Sequence, residues 1–150
     1  MSQAEVSPDP KFSDSKPAEE KLAVDSLKAI AQGLTWMSES DYPFEVLQLP
    51  DRLTPPNTEE LLQLTGHDAD ALVEEISIKD FFAPAIQPQD WHKEVDKQRM
   101  QRFQTLLHWI EQHLSDIKVY RVGAIAIDVY IIGKIESGAW ISLSTKVIET

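Results

Sequence analysis

Between Val119 and Ile148 the apolar positions fall into three runs separated by glycine-containing breaks. Val119-Tyr120-Arg121-Val122 is followed by Gly123. Ala124 to Ile132 is followed by a turn within Gly133 to Gly138, and Ala139 to Ile148 completes the series. β-branched and aromatic residues dominate, and the spacing predicts an antiparallel three-stranded meander. Side chains alternate along a strand, so one face of the middle run carries Ile125, Ile127, Val129 and Ile131. The other carries Ala124, Ala126, Tyr130 and Ile132, with Asp128 as its one charged member. Two apolar faces need two covers, which helices elsewhere in the chain must supply.

Helical spacing appears twice with clarity. Leu22, Leu27, Ile30 and Leu34, with Ala23 and Ala31, predict a helix from near Glu19, and Gly33 suits its C-terminal cap. Phe103, Leu106, Leu107, Ile110 and Leu114 form the stripe of a longer helix running from about Asp90 to Leu114. Between them, Trp36-Met37 leads into the polar turn Ser38-Glu39-Ser40-Asp41. Tyr42 to Leu49 reads as a strand, which Pro43 confines to a sheet edge or a strand start. Pro50 to Asn57 is a loop, and Thr58 to Thr65 a short helix capped by Asn57 or Thr58. Gly66 to Asp70 reads as loop. Ala71 to Phe82 follows no single period and reads as an irregular segment anchored by Ile76, Ile78, Phe81 and Phe82. Met1 to about Ala18, with Pro8, Pro10 and Pro17, lacks apolar periodicity and reads as a disordered arm preceding one domain over residues 19–150.

Composition narrows the function. The 150 residues hold no cysteine, which removes disulfides, thiol catalysis and Cys-based metal sites and fits a cytoplasmic location. No apolar run approaches the ~20 residues of a membrane span, and the first residues have no signal-peptide core. The net charge is −11, and Glu59 to Asp90 holds eight acidic residues against one basic, Lys79. Such a chain repels nucleic acid and suits a basic protein or a metal-containing site, or serves solubility alone.

Catalytic signatures are sparse. Five glycines leave little material for phosphate-cradling loops, and no serine sits in a Gly-x-Ser-x-Gly elbow. His108 and His113 diverge around their helix, so they do not form a zinc pair. His67-Asp68-Ala69-Asp70 lacks Ca²⁺-loop spacing and reads as a solvated acidic loop rather than a cation site. Ser38-Glu39-Ser40-Asp41 is a polar connection or a contact loop. In Pro88-Gln89-Asp90-Trp91, Asp90 suits a helix cap, while Trp91 either packs inward or forms an exposed aromatic anchor.

These segments also carry a resemblance. Met37-Ser38-Glu39-Ser40-Asp41-Tyr42-Pro43-Phe44-Glu45-Val46, Leu64-Thr65-Gly66-His67, Pro88-Gln89-Asp90-Trp91 and Ser144-Thr145-Lys146-Val147-Ile148-Glu149-Thr150 stand in the chain in that order. With Val119 to Gly123 and Asp128 to Gly133, they resemble the cyanobacterial nuclease A inhibitor family from about residue 19 onward. The resemblance implies an α+β fold, a three-layer α/β/α sandwich on a mainly antiparallel sheet. It implies a non-enzymatic inhibitor, without a cofactor of its own, whose partner is a metal-dependent, sugar-nonspecific DNA/RNA endonuclease. It further implies that Thr150 approaches the partner's catalytic magnesium, that Glu39 assists, and that Asp90 and Trp91 join the contact. A protein-binding module of the same fold with another partner, or a hydrolase with an unrecognised carboxylate site, are the alternatives. An enzyme needs a concave site with a shifted titratable pair, whereas an inhibitor presents these four residues together on one surface.

Overall fold

The computed structural model describes residues 8–36, 40–49, 54–87 and 93–149, and only the backbone of 8–17. The described chain runs α1 (Pro8–Ala31), β1 (Thr35–Trp36), β2 (Tyr42–Pro43), β3 (Glu45–Gln48), α2 (Thr58–Thr65), β4 (Val73–Ile76), α3 (Ile78–Ile86), α4 (Glu94–His113), β5 (Ser115–Val122), β6 (Ala126–Lys134) and β7 (Trp140–Ile148). Strands β5, β6 and β7 form the expected meander. They lie within a five-stranded antiparallel sheet of order β3-β7-β6-β5-β4, and β1 and β2 form a separate two-stranded ribbon. The fold is α+β.

Alternation along the strands divides the core in two. Val119, Ile127, Val129, Ile131, Ile141, Leu143 and Val147 pack with Val24 and Leu27 of α1, Phe81 and Phe82 of α3, and Phe103, Leu106 and Ile110 of α4. Tyr120, Val122, Tyr130, Ile132 and Trp140, one position out of phase, pack with Leu61 and Leu62 of α2. Each face therefore has its helical cover, as two apolar faces require. Leu27, Leu106, Ile110, Val129, Ile131 and Trp140 sit at or near zero exposure. Truncating a side chain of that kind to Ala costs about 2–5 kcal/mol.

The local signals explain most boundaries. Asn57 accepts from Glu60 N at 2.8 Å while Glu60 Oε1 accepts from Asn57 N at 3.1 Å, a capping box that starts α2. Arg102 of α4 reaches the carbonyls of Ile30 and Gln32 at the end of α1, where unpaired acceptors need donors.

Several elements differ from the sequence reading. Tyr42 to Leu49 is not one strand: Phe44 separates β2 from β3, and β3 takes the sheet edge. The segment read as irregular, Ala71 to Phe82, holds β4 and then α3, with Ser77 between them accepting from Asp80 N at 3.0 Å as the helix cap. Val73-Glu74-Glu75-Ile76 shows no apolar alternation, so β4 leaves no strand period to read before α3 begins. α4 begins at Glu94, and its capping bond is Lys93 N to Asp96 Oδ2 at 2.9 Å. α1 begins at Pro8, well before Glu19. Leu22 and Ile125, expected on buried faces, are 64% and 61% exposed, because Leu22 turns off the buried side of α1 and Ile125 precedes β6.

Candidate functional site

Glu39, Asp90, Trp91 and Thr150 lie outside the described residues. The described residues that flank them are Trp36 and Ser40, Gln87 and Lys93, and Glu149. The β1–β2 ribbon, the end of β7 and the start of α4, which carry Trp36, Ser40, Glu149 and Lys93, converge on one end of the sheet.

The ribbon of β1 and β2 pairs Trp36 with Tyr42 and Thr35 with Pro43. Its base is set by aromatic packing. Trp36 stacks on Phe81 at 4.3 Å and meets Phe103 and Phe82 edge-on at 5.6 and 6.0 Å, which ties the ribbon to α3 and α4. On its other strand, Tyr42 and Pro43 offer their carbonyls to the Thr145 hydroxyl at 3.3 and 3.0 Å. Thr145 is only 7% exposed, so an unpaired hydroxyl there would be costly.

Strand β7 is pinned where it finishes. Glu149 N donates to Ile125 O at 2.9 Å, and the Glu149 carboxylate meets Arg121 Nη2 at 2.8 Å. Arg121 Nε also lies 3.3 Å from Glu74 Oε1, an approach that neutralises charge but is poorly aligned for a hydrogen bond. The first residue of α4 belongs to the same end. Leu114, just past the last turn of α4, abuts Gly133, which pairs with Ile141 at the far part of β7, whereas Phe103 sits against Trp36. The helix therefore runs from the finishing end of β7 toward its starting end. An apolar groove of about 800 Å³ lies at the opposite end, between α1, the last turn of α4 and the β6–β7 turn, lined by Leu22, Trp109 and Ile135 among others.

A second set of contacts crosses the α2 face. Gly66, at φ 75°, caps α2 in the left-handed conformation, and His67 N closes the helix on Leu62 O at 2.9 Å. This geometry turns the imidazole inward. His67 Nε2 lies 3.0 Å from the Tyr130 hydroxyl and 3.2 Å from Asp128 Oδ2. Asp128 Oδ1 faces Lys146 Nζ at 3.7 Å, and that ammonium sits 5.8 Å from the centre of the Tyr42 ring. Burial, and then the Asp128 charge, push the Tyr130 phenol above its ordinary value of 10.0. Thus His67 is a sheet contact while Asp68 and Asp70 stay exposed. Among the described residues no three His, Cys, Asp or Glu side chains gather as a metal site. Nor is any described helix long and apolar enough to cross a membrane. Asp128, Lys146 and Tyr42 escaped the sequence reading as a group. The available signal was the lone charge of Asp128 on an apolar strand face.

Comparison with curated proteins returns no match. A family model described as nuclease A inhibitor-like protein matches residues 21–150. The matched span takes in every described strand and all helices from the middle of α1 onward. Its members are grouped as inhibitors of a nuclease, not as enzymes. On this match the chain belongs to the nuclease A inhibitor-like (NuiA) family.

Proposed function

We propose that this protein binds a metal-dependent, sugar-nonspecific DNA/RNA endonuclease and blocks its active site, with Thr150 approaching the catalytic metal. Glu39 assists at the metal, and Asp90 and Trp91 contact the nuclease beside it. The observation that carries this reading is the pinning of Glu149 by Ile125 O and Arg121, beside the ribbon that Thr145 holds. A strand fixed at Glu149 lowers the cost of ordering a residue that follows it. Magnesium takes oxygen ligands, and threonine offers them. A net charge of −11 favours approach to a cleft built to attract phosphates, and disfavours direct binding of nucleic acid.

The test titrates a purified nonspecific endonuclease with the wild-type chain and with variants, using circular dichroism as the folding control. A C-terminal extension should weaken inhibition and the same extension at the N-terminus should not. Deleting Thr150 should cost about 2 kcal/mol or more, the scale of an interface hot spot. Glu39→Ala should combine with that deletion non-additively if both act on one metal. Full inhibition by a folded, C-terminally extended chain would sink the mechanism and leave a protein-binding module whose contact lies elsewhere.

A further inference from the structure

The Thr65-Gly66-His67 segment has no part in the contact proposed above, yet its imidazole opens a continuous polar path across the sheet. We infer that His67 is a positioning residue for the partner-binding end, acting through Asp128 and Lys146 to hold Tyr42, and with it the β1–β2 ribbon, against the last strand. The inference rests on the inhibitor reading for its functional half.

The path is built from one cap and four side chains, those of His67, Asp128, Lys146 and Tyr42. The backbone of His67 closes α2 on Leu62 O, so the ring has little freedom to leave the sheet. With its hydrogen on Nε2, the ring donates to Asp128 Oδ2 and reaches the Tyr130 hydroxyl, against which it also packs edge-on at 6.0 Å. That leaves Asp128 Oδ1 facing Lys146, its direct cross-strand neighbour on β7. Opposite charges in that position support a ladder modestly. Lys146 then places its ammonium over the Tyr42 ring. Tyr42 is thereby gripped twice, at its carbonyl by Thr145 and at its ring by Lys146.

The ribbon needs such help. β1 and β2 are two residues each, and an isolated two-stranded ribbon is marginal in water. Each link is individually weak: Lys146 is 40% exposed and Asp128 30%, so water screens their pair. A weak clamp of this kind adds little to global stability. It restricts Tyr42 and the β1–β2 ribbon before any partner arrives, which lowers the ordering cost of binding.

The test uses the full chain and four variants: His67→Ala, His67→Gln, Lys146→Met, and the His67→Ala/Lys146→Met double. In the free protein, NMR follows the Lys146 ε-methylene protons, which the Tyr42 ring current shifts. Inhibition of a purified nonspecific endonuclease is titrated in parallel, with thermal melts. His67→Ala should move the Lys146 signals toward solvent-exposed values and weaken inhibition about three- to tenfold, the range expected of one or two such contacts. His67→Gln, which keeps a donor in reach of Asp128, should restore most of both. The double variant should be no worse than Lys146→Met alone. Unchanged Lys146 signals in His67→Ala overturn the path itself. Moved signals with unchanged inhibition, or a loss that Gln does not rescue and that tracks the melting temperature, overturn the positioning role. Should His67→Ala fail to fold, His67→Gln and Lys146→Met carry the same comparison. A wild-type chain that does not inhibit refutes the inhibitor reading, while the NMR comparison still decides whether the clamp exists.

Discussion

Gly123 shows how much one position can decide. It has a φ of +118°, donates to Leu72 O at 2.8 Å, and turns the chain from β5 into β6. A Cβ added there would lie 2.5 Å from the Ala126 carbonyl oxygen, which is backbone and cannot step aside. Left-handed strain and this clash act together, so Gly123→Ala should destabilise the chain by about 2–3 kcal/mol. Urea unfolding should show a lower midpoint at unchanged slope, and a loss below about 0.5 kcal/mol, the size of an ordinary surface change, would contradict the geometry. Asp128 illustrates the opposite case. Its charge was visible on an apolar face, but its partners His67 and Lys146 lie far away in sequence and are neighbours only because α2 and β7 border the same strand.

Among the described side chains of α1, from Ala18 onward, Val24, Leu27 and Ala31 are buried, and Arg102 donates to the Ile30 carbonyl near its end. Removing residues 1–17 should therefore leave the fold in place. The melting midpoint should fall by less than the roughly 4–8 °C that ~1 kcal/mol produces in a ~100-residue domain. A larger drop would mean that the first half of α1 contributes to the core. α2 announces itself by its Asn57 cap and α4 by its apolar stripe, although α4 starts at Glu94 rather than at about Asp90. β4 and α3 did not, since Val73-Glu74-Glu75-Ile76 shows no apolar alternation and runs directly into the nine residues of α3 with Ser77 alone as the boundary. Pro84 adds to the ambiguity, since it lies inside α3, where it has no N–H to bond back to the Asp80 carbonyl.

At the scale of the whole molecule, the electrostatics give a signed expectation for alkaline pH. Burial, and then the Glu75 charge, raise the Tyr120 phenol above 10.0, and burial with Asp128 raises Tyr130. The bond and charge of Glu75 raise exposed Lys118 above 10.5. Each group holds its proton more tightly folded than unfolded, so the native state binds more protons through this range and stability falls as pH rises. The contribution is complete below about pH 10 and is lost as pH climbs through the raised folded values. Urea unfolding between pH 8 and 11, alongside tyrosinate absorbance, should show stability declining above about pH 10. It should also show two tyrosines ionising later than the ordinary phenol. A flat or rising profile across that range would contradict the burial of these rings.

What the sequence determined by itself was local. The meander, the cap of α2 and the stripe of α4 rest on neighbours within a few positions, where period, cap and turn chemistry act directly, and the family resemblance rests on several short stretches standing in order along the chain. It also supplied Glu39, Asp90, Trp91 and Thr150 as candidates, through motif likeness alone. Tertiary structure decided the rest. It set β3 beside β7, put α2 over one face of the sheet, turned His67 inward, and brought Tyr42, Asp128 and Lys146 into one path at the end where β7 finishes. Those relations join residues tens of positions apart. Strand order and face, rather than local preference, place them, because burial of both sheet faces is satisfied only once the whole chain has packed.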